Sequence, residues 1–410
     1  MFCVANQGSS NAIINQSSIY KSIDNYISNL VLKIADGDPV NKSNIIQSIE
    51  SISKELWDNN ARTIFYPDKY ISLIKGNNGP FVGSIAHSMM DEGMFFIRNI
   101  TDDNEVIQFT YDMVGGFCIA KYYLLKNKDE SEIKNLMQSD EFKKLIPSDD
   151  YHPLAEDILK AILYLIPNRC GSKPLYKIVS NLPPTVYVAN IDVLSQYIND
   201  RTELIEFFAS LSFDDSDISM LCEKIYIEVI EQNDFNNAAV LYFCYFNWSN
   251  YQRDIYWNER IRTNVWKILQ LLKHITKESY LSNLTEIERH NHLVFCSLLF
   301  SSTDNEIRNL ATKTAVIIAQ LNPYQILEIL KKSINLTDIY ILERIVAVLC
   351  GVVLRVKDRN FTNECCEYLQ NEFLPNTITN HIVILDYIRT IFEFGKFYFE
   401  YPYPVEVLFR

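Results

Sequence analysis

Histidine and cysteine are the side chains best suited to chemistry in this chain, and they gather only once, as His290, His292 and Cys296. On a helix His292 and Cys296 stand four apart on one face and could reach a common metal ion, whereas His290 points away. Two ligands do not close a zinc site. The pattern therefore reads as a polar helix start followed by a buried thiol, and no metal ligand is assigned. Cys365 and Cys366 point to different faces, and His381 has no partner histidine nearby. The nearest approach to a phosphate cradle is Gly171-Ser172-Lys173. A P-loop needs G-x-x-x-x-G-K-[ST] so that successive amides surround a phosphate while a lysine reaches it; this string lacks the first glycine and runs into Pro174. There is no G-x-S-x-G elbow for a nucleophilic serine. The acid pairs Asp102-Asp103, Asp149-Asp150 and Asp214-Asp215 fall in loop-like sequence and read as solvated turn residues. No catalytic residue and no cofactor-binding residue is assigned.

One stretch is locally basic. Residues 253–277 hold six Lys/Arg against Asp254 and Glu259, with Tyr256, Trp257 and Trp266 interleaved and Tyr251 just before. Basic and aromatic residues together can contact nucleic acid. The plainer reading is a helix with an aromatic buried face and a solvated charged one. The string FCYFNWSNYQRDIYW at 243–257 is the best candidate for a partner-binding surface, because aromatics and Arg dominate interface hot spots; it could equally be core.

Composition narrows the classes. The 410 residues are 48% hydrophobic and 22% charged, enough for a sizeable core and more than one ordinary domain. With Gly 11 and Pro 13, a turn-rich all-β protein is disfavoured. A net charge of −13 argues against a general binder of nucleic acid or anionic membrane, since phosphate affinity needs a positive field. The nine cysteines are an odd number without C-x-x-C, and most sit in apolar runs, which fits reduced thiols in a cytoplasmic protein. The N-terminus lacks a basic region followed by an apolar one, so no signal peptide is expected. The longest apolar runs, such as 345–354, are too short to span a bilayer.

The elements follow from periodicity. Ile19, Ile23, Tyr26, Ile27 and Leu30 predict one helix, broken at Asp36-Gly37-Asp38-Pro39. Ile45, Ile49, Ile52 and Leu56 predict a second, with Ser43 as its expected N-cap. Gly79-Pro80 is expected to open a short helix ending near Gly93. Residues 94–100 and 105–110 read as a hairpin around Thr101-Asp102-Asp103-Asn104. Thr110 is expected to cap the helix that carries Met113, Val114, Phe117, Ala120 and Leu124. Helix, hairpin, helix is the pattern of a winged-helix domain, and also of other small α+β insertions. From Lys126 onward only helices are predicted, separated by short polar or Pro-bearing loops. Residues 291–332 look like one helix–turn–helix repeat and the start of another. Leu293, Val294, Leu298 and Leu299 line its first helix, Asp304 is the expected N-cap of the next, and Arg308 is placed to pair with Asp304. Leu310, Ala311, Ala315 and Ile318 are expected to face inward. Helices that cannot bury an apolar face alone must stack, giving a solenoid.

Several strings resemble the prokaryotic STAND NTPases, a family that includes antiviral sensors of phage proteins. HSMMDEGMFFIRN (87–99) and EVIQFTYDMVGGFCIAKYYLL (105–125) are similar to the winged-helix end of such proteins, although Gly116 stands where the family commonly has an acidic residue. ILKAILYLIPNRCGSKPLYKIV (158–179) resembles the Leu-Pro-x-Arg segment that opens the helical sensor region, and 298–355 resembles its HEAT-like repeats. Residues 2–35 look like the stretch after the ATPase core. The resemblance implies a mainly α chain: a helical linker and winged-helix domain at 1–125, then an α-solenoid of HEAT-like repeats at 126–410. It further implies a non-catalytic sensor portion that binds a protein ligand, a phage protein being the candidate, with the ATPase module supplied in trans or on sequence before Met1. None of the family's nucleotide-binding residues has a counterpart here. The alternative is a stand-alone helical scaffold for protein–protein interaction. A nucleic-acid-binding winged helix is disfavoured, because 111–125 carries only Lys121 against Asp112.

Overall fold

The computed structural model describes residues 16–76, 79–101, 104–146, 151–171, 173–179, 182–194, 201–334, 338–376 and 381–402. The chain is mainly α-helical with one small three-stranded sheet. It forms two compact units, Met1–Asn199 and Asp200–Arg410.

In the first unit, α1 (Gln16–Ala35) and α2 (Pro39–Asp58) pack together; Tyr20, Ile27, Leu30 and Val31 of α1 and Ile45, Ile49, Ile52 and Leu56 of α2 are buried. The break between them is a left-handed pair, Asp36 and Gly37, followed by Asp38, whose carboxylate accepts the Val40 N–H at 2.8 Å. Asp38, not Ser43, is therefore the N-cap. Pro39 at the first helical position needs no amide partner and fixes the start there, leaving Ser43 one turn inside the helix.

Strand β1 (Ile64–Tyr66) follows, then α3 (Asp68–Leu73), α4 (Ile85–Asp91), β2 (Phe95–Thr101) and β3 (Asn104–Phe109). The antiparallel sheet has the order β1-β3-β2. The expected hairpin is present, in register Phe95↔Phe109 and Ile97↔Ile107; Asp102 and Asp103 of its turn lie outside the described residues. Strand β1 had no sequence signal, since three residues cannot display an alternation. Helix α4 begins later than Gly79-Pro80, because the Ser84 hydroxyl accepts the His87 N–H at 3.2 Å; it ends as expected, with Gly93 at φ +74°. The Tyr70 hydroxyl donates to the Ala86 carbonyl at 3.0 Å, tying α3 to α4, and its ring meets Phe95 edge-on.

Thr110 does not cap the next helix. Its hydroxyl donates to the Gly93 carbonyl at 2.6 Å and its N–H to Met94, closing the end of the sheet, and Tyr111 takes the cap position without a side-chain bond. Helix α5 (Asp112–Cys118) runs into a π-turn at Ile119–Leu124. It lies against the helix Ala155–Arg169, here α6, at a close approach centred on Gly116. That packing explains why helices beyond residue 126, where the sequence becomes helix-only, belong to the first compact unit: an apolar face at Ile158, Ile162 and Leu165 is buried in it.

In the second unit, helices Ala238–Tyr245, Glu286–Leu298, Asn305–Ala319, Ile339–Val356 and Ile382–Phe399 stack in chain order, each on the one before. The expected repeat at 291–332 is built largely as read. Leu293, Val294, Leu298 and Leu299 are fully buried, and the Asp304 carboxylate accepts the Ile307 N–H at 3.0 Å. Ala311, Ala315 and Ile318 are buried, while Leu310 is half-buried. Arg308 does not pair with Asp304. It donates to the Ser302 carbonyl at 2.5 Å and to the Asn305 side chain, because the Asp304 carboxylate is already turned to the helix start. Among the described residues no helix is long and apolar enough to cross a membrane.

Candidate functional site

The residues singled out for chemistry are mostly structural. His292 sits in the core of the second unit, its ring stacked on Phe235 with centroids 3.8 Å apart. Its Nδ1 lies 2.7 Å from the Glu288 carbonyl, which can only accept, so Nδ1 carries the proton. Nε2 then accepts from the Tyr280 hydroxyl at 2.9 Å, and that hydroxyl accepts in turn from Asn233 Nδ2 at 3.3 Å. With both ring nitrogens engaged, His292 has no lone pair for a metal, and burial pushes its pKa down to about 4. Cys296 is fully buried and its thiol is pushed up by desolvation. Among the described residues no group of three His, Cys, Asp or Glu side chains could hold a metal ion. All described cysteines are buried free thiols; Cys3 lies outside the described residues.

The other candidates disperse in the same way. Lys173 pairs with Glu130 at 2.9 Å, and Ser172 of the same string is outside the described residues. Asp149 and Asp150 are likewise outside them. Asp214 and Asp217 form a reciprocal capping box at the start of the Asp215–Tyr226 helix. A histidine that sequence reasoning passed over, His152, is fully buried in the first unit. It stacks on Trp57 and lies 3.2 Å from the Leu56 carbonyl, a core role.

The aromatic string at 243–257 divides between core and surface. Cys244, Tyr245 and Trp257 are buried, and the Trp257 indole N–H donates to the Leu298 carbonyl at 3.1 Å. Arg253 is also buried, lying over the Tyr245 ring at 5.2 Å. Of its large apolar side chains Tyr251 and Ile255 are exposed.

The basic stretch divides. Its first half sends Arg253, Trp257 and Ile261 into the core, and its second half, the Val265–Ile275 helix, forms one wall of an open cleft of about 470 Å³. Ile268, Leu269, Leu272 and Ile275 make the buried stripe of the helix. Trp266, Gln270, Lys273 and, past the helix end, Lys277 recur at spacings of four, three and four and stand on the opposite, solvent side. Leu271 supplies an apolar floor. The facing wall comes from the end of the π-turn Ile227–Glu231 and the loop after it, through Ile230 and Asn233. Asn233 adopts φ +57°, a left-handed conformation Asn tolerates, and it is the outer end of the Asn233–Tyr280–His292 hydrogen-bond relay. The cleft wall is thus anchored in the core.

Trp266 is 72% exposed, whereas Trp57, Trp248 and Trp257 are each 6% or less. Lys267 pairs with Glu231 across the mouth at 3.3 Å. Among the described residues the ammonium groups of Lys273 and Lys277 have no ion-pair partner. An accessible indole beside uncompensated cations can stack on a flat or apolar group while attracting negative charge. It offers no acid, base and nucleophile in convergence. Comparison with family models, with curated proteins and with solved structures returned no match to this chain.

Proposed function

We propose that this chain is the non-catalytic control-and-sensing portion of a STAND-type NTPase, a winged-helix domain followed by an α-solenoid of HEAT-like repeats that binds a protein ligand, with phage proteins the first class to test. The observation that carries the reading is the element order α2–β1–α3–α4–β2–β3 with sheet order β1-β3-β2. Three helices with a three-stranded antiparallel sheet, its hairpin following the third helix, is the order a winged helix would have, and it supports that reading. The sequence supplied only part of it, so β1 is independent support. The stacking of the second unit's helices in chain order supports repeats, in which each helix buries its apolar face against the next.

Protein is favoured over DNA as the ligand. In a DNA-reading winged helix the third helix enters the major groove and needs a basic face. Here that helix, α4, has no Lys or Arg, and His87 pairs with Asp91 at 2.9 Å. In this reading the ligand binds one arrangement of the repeats better than another. The winged-helix domain passes the resulting population shift to an ATPase module in trans or elsewhere on the polypeptide. Equilibrium dialysis of the purified chain against ATP and Mg²⁺ tests the division of labour. No retention of nucleotide is expected, and stoichiometric binding would overturn the assignment.

A further inference from the structure

We propose that the cleft beside the Val265–Ile275 helix is a receptor site for a short acidic peptide segment carrying one aromatic or aliphatic anchor. The proposal rests on the reading of the chain as a protein-binding module, but not on its STAND assignment.

Three features select this occupant. Trp266, exposed at 72%, lines the cleft, and Leu271 and Ile230 add apolar surface to its lining. Such an indole in water gains by covering an apolar side chain. Lys273 and Lys277 lie further along the same line, without acidic partners among the described residues, so carboxylates are the complementary charge. The positive field is also short. Glu231 sits at one lip and Glu278 directly follows Lys277, on a chain of net charge −13. A polyanion running beyond the cleft would meet like charge, whereas two or three carboxylates would not.

Geometry sets the spacing. Trp266 and Lys273 are seven helical residues apart, roughly 10 Å at ~1.5 Å per residue. An extended peptide covers that distance in about three residues at ~3.3 Å each. Lys277 lies about two peptide residues further. The fitting motif is an anchor, then acidic residues about three and five positions away.

The selective exposure of Trp266 supplies the readout, because acrylamide quenches accessible indoles first. The probe is an eleven-residue peptide with a central Phe and Asp three and five residues to either side, otherwise Ser. Controls are the same peptide with Asn for Asp, and an oligothymidine of similar length. The acidic peptide is expected to protect the fluorescence from quenching, less so as salt rises. The double variant Lys273→Gln/Lys277→Gln, both exposed positions, should weaken it about tenfold with an unchanged circular-dichroism spectrum. Three results would each overturn the proposal: no protection by the acidic peptide, equal protection by the Asn peptide, or an affinity unaltered in the double variant. Protection by oligothymidine in place of the peptide would reassign the cleft to single-stranded nucleic acid. Stoichiometric ATP binding in the separate dialysis experiment would remove the STAND reading while leaving the peptide result standing.

Discussion

Gly116→Ala isolates the contact that holds α5 to α6. A Cβ at Gly116 would lie 2.6 Å from Asp157 Cβ, 2.7 Å from the Asp157 carbonyl carbon and 2.8 Å from the Ile158 nitrogen. Two of these atoms are backbone, so relief requires a shift of the whole helix rather than a rotamer change. Overpacking of that kind costs about 3 kcal/mol, the upper part of its usual range. Replacing Gly by Ala inside a helix returns about 1 kcal/mol. The net loss of about 2 kcal/mol should lower the melting temperature of a unit this size by roughly 4–8 °C. Gly351→Ala is the control: its Cβ would meet only side-chain atoms of Val316, the nearest being Cγ2 at 3.0 Å, so no backbone has to move. It should melt within about 2 °C of the parent. Thermal melting by circular dichroism, with hydrogen exchange to locate the loss at 112–118 and 155–169, provides the assay. A Gly116→Ala protein as stable as the parent would refute the close-approach argument. Gly116→Asp should be worse still, since it sets a second carboxylate against Asp157, whose carboxyl burial already pushes up.

Further outcomes are expected elsewhere. His292 titrates near pH 4 in the fold against an ordinary 6.5, so the unfolded chain takes the proton first. Its contribution is complete above about pH 6.5 and is lost as pH falls toward 4, about 3 kcal/mol in all. His292→Gln should flatten urea stability against pH in that window, and an unchanged slope would contradict the burial argument. Tyr242→Phe removes a buried hydroxyl 2.7 Å from Ser333 Oγ; because Ser333 keeps its bond to the Ile329 carbonyl, the loss should be only about 1 kcal/mol by urea titration. Asp38→Ala should cost about 1 kcal/mol and Ser43→Ala almost nothing, a contrast that tests where α2 begins.

Legibility in the sequence followed the strength of local signals. The α1–α2 break and the hairpin were readable because Gly, Pro and Asp clusters and apolar alternation declare themselves locally. Strand β1 was not, because a three-residue strand is defined by its partner β3. The misplaced caps at Ser43 and Thr110 show competition: both residues can cap, but Pro39 fixes one start and the sheet engages the other side chain. The basic-aromatic stretch is visible in the sequence, but which of its residues line a cleft is not. A signal existed, for Trp266 lies off the Ile268, Leu269, Leu272 and Ile275 stripe and in line with Lys273 and Lys277. The opposite wall, Ile230 and Asn233, is brought in by the fold alone.

The most direct test of the sensing role is binding of the intact purified chain to a panel of purified phage structural and replication proteins, measured by interferometry at physiological salt. At least one should bind with micromolar or tighter affinity, and saturably. Retention of none of them would leave the sensing role without support.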